Sequence, residues 1–422
     1  MLAHHAWITL AADMHLEWEQ SELEGRDVAQ YKTLCQEIAQ HKDEKMAEAA
    51  YALLANAPTR EDFTFVEPSA YDEIRAALPN PGKAYTPPKK DDALAQKIKG
   101  AWLGRIAGCL LGKPVEGWRR DKLWPALKET NNFPMTGYIG DWNASLVQGA
   151  APVDDDTNYT VFTMKMMEKY GRNFTPDDVL EAWLAWIPYL ATCTAERVAY
   201  RNATMGLLSP ETATHKNPYR EWIGAQIRGD FFGYINPGNP QLAAEMAWRD
   251  ASISHVKNGI YGEMYIAAMI AIAAVCDNMR EVVTQALCEI PENCRLRRDV
   301  DLVIGWFDSG VSVDDAIEKI HEAYDEHSAT GWCYTNSNAM IVVMALLYGE
   351  KDFGKSICLS VQAAFDTDCN GATVGSVIGI MLGAGAVDAY WTDAFCNKLR
   401  TSVEGFNLVT TDELVEKTME LL

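Results

Sequence analysis

Carboxylates are bunched at two places in this chain. Asp154, Asp155 and Asp156 form one run, followed by Thr157, and Asp366-Thr367-Asp368 forms a second near the end of the sequence. Each run follows a loop-like stretch and opens a helical pattern. Neighbouring carboxylates repel unless something cancels their charge. A helix N-terminus offsets part of that repulsion. A divalent cation offsets far more, and hard cations such as Mg²⁺ take oxygen ligands of this type. Brought together, the two runs could hold one ion or a pair. Taken singly, either run is also an ordinary N-cap, because Asp and Thr side chains accept hydrogen bonds from the first helical amides.

The elements that would carry these residues read as helices. Val28, Tyr31, Leu34, Cys35 and Ile38 make an apolar stripe at helical spacing. Residues 181–190 and 260–276 are apolar nearly all round and read as central helices. No convincing series of alternating strands is present, so the expected fold class is all-α. Glycine recurs every four residues at Gly100, Gly104, Gly108 and Gly112, and again at Gly371, Gly375, Gly379 and Gly383. A stride of four keeps the glycines near one helix face. Glycine is costly inside a helix, so a bare stripe implies a neighbouring helix packed very close. Neither segment ends in the Gly-Lys-Ser/Thr of a phosphate loop.

A Pro/Gly-rich stretch over residues 79–88 reads as a linker. It divides the chain into a helical N-terminal extension, residues 1–90, and a main domain, residues 91–422. Residues 131–153 and 208–219 lack periodicity and are long loops of the kind that often carry function. Arg228 and Asp230 stand among apolar neighbours and read as a buried ion pair. Tyr138 and Trp142 read as loop packing.

The chain has 422 residues and a formal charge of −22, from 59 acidic and 37 basic residues. That balance disfavours nucleic acid or an anionic membrane as the main partner, while leaving an anionic small substrate open where bound cations dominate the local field. Ten cysteines occur without Cys-x-x-Cys pairs or a Cys/His zinc spacing. Several, including Cys109, Cys276 and Cys358, lie in apolar runs and read as reduced thiols of a cytoplasmic protein. Residues 1–10 lack the pattern of a signal peptide, and the longest apolar runs are too short for a membrane span.

Four motifs in order carry a resemblance. Residues 100–116 (GAWLGRIAGCLLGKPVE), the acidic run at 154, Ser254-His255 before an apolar helix, and the Asp-Thr-Asp at 366 before a glycine-rich helix resemble the ADP-ribosylglycohydrolase family, including its dinitrogenase-reductase-activating glycohydrolases. The resemblance implies an all-α fold, a pair of Mg²⁺ ions with Mn²⁺ in some members, and cleavage of the bond between ADP-ribose and its acceptor. It implies Asp154, Asp155, Asp156, Asp366 and Asp368 as metal-site residues, with Asp155 and Asp368 also serving the chemistry. It places Glu116 near the substrate ribose as a catalytic and binding residue, and His255 near the ribose or a phosphate. By spacing alone Glu116 is equally a solvated charge at a helix end, and His255 a satisfied core histidine. The expected partner is an ADP-ribosylated protein or an ADP-ribosyl or nucleoside small molecule.

The chain departs from the family pattern at three places. Asp154 stands where Ser or Thr is usual. Cys369 replaces a hydroxyl residue, and Cys109 follows Gly108 where many relatives carry Asp. A thiol is a poor Mg²⁺ ligand. Three rival functions follow: a nucleosidase of the same fold, a non-catalytic ADP-ribose-binding protein, and a terpenoid synthase. The last is disfavoured because no Asn/Ser/Glu motif follows around residue 366 and no basic cluster stands ready for a diphosphate.

Overall fold

The two glycine stripes face each other. In the computed structural model, which describes residues 9–79 and 81–422, the helix Asp92–Gly112 lies antiparallel against the helix Thr367–Leu382. A Cβ on Gly100 would stand 2.2 Å from the carbonyl oxygen of Gly379. The corresponding gap is 2.0 Å from Gly104 to Gly375 and 1.9 Å from Gly108 to Gly371. These separations are below any van der Waals contact, so only glycine lets the backbones meet. Gly383 is the exception in its stripe. It lies past the helix end with φ of +82°, in a conformation that suits glycine for its own sake.

Around this pair the fold is all-α. Two long helices, Lys257–Ala273 and Thr335–Tyr348, are buried on nearly every side, as a helix apolar all round must be. The first is the central helix expected from residues 260–276. The other segment expected to be central is not. Its helix, Pro176–Trp186, buries Val179, Leu180, Ala182 and Trp183 but leaves Leu184 exposed. Pro188 follows the helix end, and Leu190 is also exposed. The run is amphipathic, with its apolar face wider than its buried one. Among the described residues the only strands are a short antiparallel ribbon, Lys398–Arg400 with Leu408–Thr410, in which Leu399 faces Val409.

The N-terminal helices Met14–Leu23, Lys32–His41 and Glu44–Ala55 have an apolar cluster of their own, built from Trp18, Val28, Cys35, Ile38 and Leu54. They bind the main body through buried ion pairs. Arg220 meets Glu17 at 2.9 Å and Glu24 at 2.5 Å, and in the non-helical segment after these helices Glu67 meets Arg295 at 2.6 Å. The Pro/Gly-rich stretch that follows is laid along the body. Lys83 reaches Glu281 at 2.6 Å and the Tyr85 hydroxyl donates to the same carboxylate at 3.0 Å. Residues 1–8, read above for a leader, and Asn80 lie outside the described residues. Among the described residues no helix is long and apolar enough to cross a membrane.

Candidate active site

Gly112 is the hinge between fold and site. A Cβ there would lie 2.3 Å from the carbonyl carbon of Thr367 and 2.4 Å from the amide nitrogen of Asp368. The close approach seats the second acidic run directly on the C-terminal end of the first glycine helix. Thr367 reinforces the contact by donating its hydroxyl to the Gly112 carbonyl at 2.9 Å. Beyond Gly112 a single 3₁₀ turn, Lys113–Val115, leads to Glu116.

The first run opens the helix Asp155–Tyr170. Asp154 is its N-cap, accepting from the Asp156 amide at 3.0 Å. The capping role expected of an isolated acidic run is therefore real at Asp154. Asp366 differs. It precedes the helix Thr367–Leu382 but makes no side-chain capping bond. Two non-glycine residues with left-handed backbone come just before it, Ala364 at φ +64° and Phe365 at +58°. Backbone of that kind costs on the order of 1–3 kcal/mol per residue and persists where packing enforces it. Here both side chains are fully buried.

The two runs converge. Ligand atoms of Asp156, Asp368 and Cys369 lie within 4.8 Å of one another, and so do those of Cys109, Asp154 and Asp156. Burial drives the carboxyls of Asp155, Asp156 and Asp368 well above the usual range, and mutual repulsion adds to it. Asp366 is pushed up chiefly by burial. Glu116 stands at the open edge of the cluster, its surface exposed while protein atoms crowd its carboxyl. Burial, then the charges of Asp366 and Asp154, push it to about 7. Two cations answer these acids. Lys113 pairs with Asp154. Arg105 donates to the Asp156 carbonyl at 2.6 Å and sits 3.4 Å from its carboxylate, but it is shared with Asp230 at 2.8 Å. Positive charge is therefore short, and the wholly buried Asp156 leaves Oδ2 without a hydrogen-bond partner. A site with excess buried negative charge and an unused oxygen fits a divalent cation. The two thiols do not fit Mg²⁺, whose ligands are oxygens.

His255 lies elsewhere. It is buried, and Nδ1 shares a 2.8 Å hydrogen bond with Ser254 Oγ. Ser254 Oγ accepts from Arg228 at 3.0 Å. Burial, then the charge of Arg228, hold the imidazole well below its usual range, so it is neutral. Its contacts are with this network and not with the acidic cluster. Arg228 and Asp230 are not each other's partner, contrary to the sequence reading. Arg228 binds Glu196 at 2.7 Å and Asp250 at 2.5 Å, while Asp230 serves Arg105. Both are buried charges, but proximity in sequence does not fix pairing on a short helix. Tyr138 and Trp142 pack as loop residues should: Tyr138 lies against Tyr390 and Trp391, and Trp142 against Trp118.

The family of the chain follows from this arrangement and from direct comparison. The model of the ADP-ribosylglycohydrolase family matches residues 90–420. The chain belongs to the ADP-ribosylglycohydrolase family. That is a family of glycosyl hydrolases, and its fold is seen again in a solved structure described as an ADP-ribosylglycohydrolase-related protein complex. The two superpose with a TM-score of 0.50 at 20% identity, over 78% of this chain and 98% of the other. No curated protein sequence matches the chain.

Several members of the site escape a sequence reading. Lys113 looks like a charge placed to complement a helix C-terminus, although it lies one turn beyond Cys109 on the same face. Arg105, inside the glycine helix, gives no signal beyond being a charge in an apolar run. Cys333 lies at the end of the short helix Ala329–Cys333, and its Sγ donates to Asp366 Oδ2 at 3.4 Å. Cys193 is close enough to Asp155 that this charge is the main cause raising its thiol.

Proposed function

We propose that the protein is a metal-dependent glycosyl hydrolase that cleaves the ribosyl glycosidic bond of an ADP-ribosylated protein or a related ADP-ribosyl compound. One observation carries the reading: two acidic runs distant in sequence share one buried cluster in which the acids outnumber the two cations, Lys113 and Arg105, at the end of a glycine-paired helix couple. Asp154, Asp155, Asp156, Asp366 and Asp368 would hold the metal. Divalent ions bound here would orient ribose hydroxyls and lower the pKa of bound water; the family pattern implies Mg²⁺ or Mn²⁺, which the carboxylates suit and the two thiols do not.

The chain's own groups account for the remaining tasks. Glycosidic cleavage at a ribose carbon passes through an oxocarbenium-like state and needs a nearby carboxylate. Glu116 would serve as that carboxylate. It is the acid at the exposed edge, where a ribose can approach, and it follows a turn fixed by the Lys113–Val115 segment. It would accept a proton from the attacking water or position that water. Asp155, half-buried beside it, would bind and orient the same water or the ribose diol. Lys113 fixes Asp154 through their ion pair, and Arg105 holds Asp156 through its carbonyl. The family pattern implies His255 near the ribose or a phosphate, as a substrate-binding residue.

The same reading divides the chain into a helical extension, residues 1–90, and a catalytic domain, residues 91–422. It suits a cytoplasmic protein, in which thiols beside the site stay reduced. The deciding experiment is a turnover screen with and without added divalent metal. ADP-ribosylated arginine and serine peptides, free ADP-ribosyl compounds and nucleosides are the substrates. Release of ADP-ribose from a peptide supports the proposal. Turnover of nucleosides alone moves the protein to a same-fold nucleosidase. ADP-ribose binding without turnover of any substrate makes it a binding protein.

A further inference from the structure

The carboxylate cluster is lined with sulfur. Cys109 Sγ lies within 4.8 Å of ligand atoms of both Asp154 and Asp156, and Cys369 Sγ within 4.8 Å of those of Asp156 and Asp368. Both cysteines are buried and neither forms a disulfide. They come from opposite members of the glycine-paired couple. Cys109 is one residue past Gly108, and Cys369 is two residues before Gly371, the glycine that faces Gly108. The close backbone contact that fixes the acids therefore fixes the two thiols as well. Asp156 belongs to both groups and is wholly buried, and its Oδ2 has no hydrogen-bond partner.

Donor chemistry selects the ion. Mg²⁺ demands oxygen in near-octahedral array. Zn²⁺ accepts thiolate and carboxylate together in a low-coordinate site, and soft sulfur ligands favour it over hard ions. A site with only carboxylates would leave the identity open. Here each of the two triads, Cys109–Asp154–Asp156 and Asp156–Asp368–Cys369, holds one thiol at ligand range, and that thiol does not leave it open.

We propose that these two triads, joined at Asp156, are mixed thiolate–carboxylate sites for a thiophilic divalent ion of the Zn²⁺ class, with Cys109 as ligand beside Asp154 and Asp156, and Cys369 as ligand beside Asp156 and Asp368. Each thiol loses its proton to solvent as its bond to the ion forms. The ion is held more tightly than Mg²⁺ because Mg²⁺ gains little from sulfur. This rests on reading the acidic cluster as a divalent-metal site, but not on any particular substrate.

The test is optical and needs no substrate. Full-length protein is stripped with chelator and titrated with Co²⁺, which reports sulfur ligation by an intense near-ultraviolet charge-transfer band. The wild type is expected to show the band, Zn²⁺ to abolish it, and a large excess of Mg²⁺ to leave it. Cys109→Ser and Cys369→Ser should each weaken the band. Each should also lower Zn²⁺ affinity by at least the roughly 10–100-fold that loss of an outer partner costs. The double variant should lose the band. X-ray absorption of the wild-type Zn²⁺ form provides a reading that no variant's folding can spoil, with sulfur expected at about 2.3 Å. Co²⁺ bound without a sulfur band, or displaced by Mg²⁺, overturns the proposal and leaves the carboxylate site standing. A band that survives in the double variant overturns it too. Failure of every divalent ion to bind removes the metal-site reading along with it.

Discussion

A side chain on Gly112 and the backbone of Asp368 cannot occupy the same space: a Cβ at position 112 would lie 2.4 Å from the Asp368 amide nitrogen. The bare carbon at the end of one helix thus sets where the acid at the start of the other can stand. Gly112→Ala should push the Thr367-Asp368 backbone away and widen the cluster. Metal affinity, read by thermal shift with added divalent ion or by calorimetry, is expected to fall more than metal-free stability does. Equal losses in both would mean that Gly112 serves the fold alone.

Deeper in the same couple the effect should be on stability. A Cβ on Gly375 would stand 2.0 Å from the Gly104 carbonyl oxygen, with backbone and not a pliable side chain as the obstacle. Gly375→Leu should cost at least the ~1–3 kcal/mol typical of overpacking. A clear drop in melting temperature checks this, and an unchanged one would show the helices to be separable.

The glycine stripes were legible as close contacts because a stride of four has few other uses. That each stripe is the other's partner was not, since periodicity describes one helix and is silent about its neighbour. The same limit explains Arg228 and Asp230, whose burial is readable from apolar flanks but whose partners, Glu196, Asp250 and Arg105, come from other helices. Convergence of Asp154–Asp156 with Asp366 and Asp368 followed from the order of the family's motifs. Lys113 and Cys333 gave no such cue, because their side chains acquire a role only through elements distant in sequence.

Asp368 and Glu116 should separate on metal dependence. Asp368→Asn removes a buried carboxyl oxygen donor that can carry charge against a cation, so metal affinity should fall and excess metal should restore part of the rate. Glu116→Gln keeps the shape at the exposed edge and removes a proton acceptor. Metal binding should survive while kcat falls roughly 10²–10⁴-fold, the range for a general acid–base group. Added metal should not rescue it. The opposite pattern in titration and rate would make Glu116 a ligand.

The N-terminal extension should depend on Arg220. This guanidinium, almost fully buried, answers both Glu17 and Glu24. Arg220→Met fills the space but strands the buried Glu17, while Glu24 keeps Lys257 at 3.0 Å, and breaking a buried pair this way costs about 3–5 kcal/mol. Limited proteolysis should then cut within residues 9–79 at a protease concentration that spares the wild type. Unchanged resistance would show that apolar contacts alone hold the extension.

Asp13 should give that extension a pH dependence. Its carboxyl is raised to about 7, first by burial, and further by Glu44 and Glu17, against the opposing pull of the Tyr219 hydrogen bond and the charge of Arg201. The folded chain therefore holds a proton that the unfolded chain releases near 4. Between those values the native state binds more protons, so the Asp13 contribution to stability is full at low pH and is lost as pH rises through about 7. Asp13→Asn resembles the protonated acid and still offers Tyr219 an acceptor. It should match the wild type in melting temperature near pH 4, where other acids titrate in both proteins alike. Above pH 7 it should be the more stable of the two. A melting-temperature difference that stays constant from pH 4 to pH 8 would show that Asp13 is ionised in the folded protein throughout.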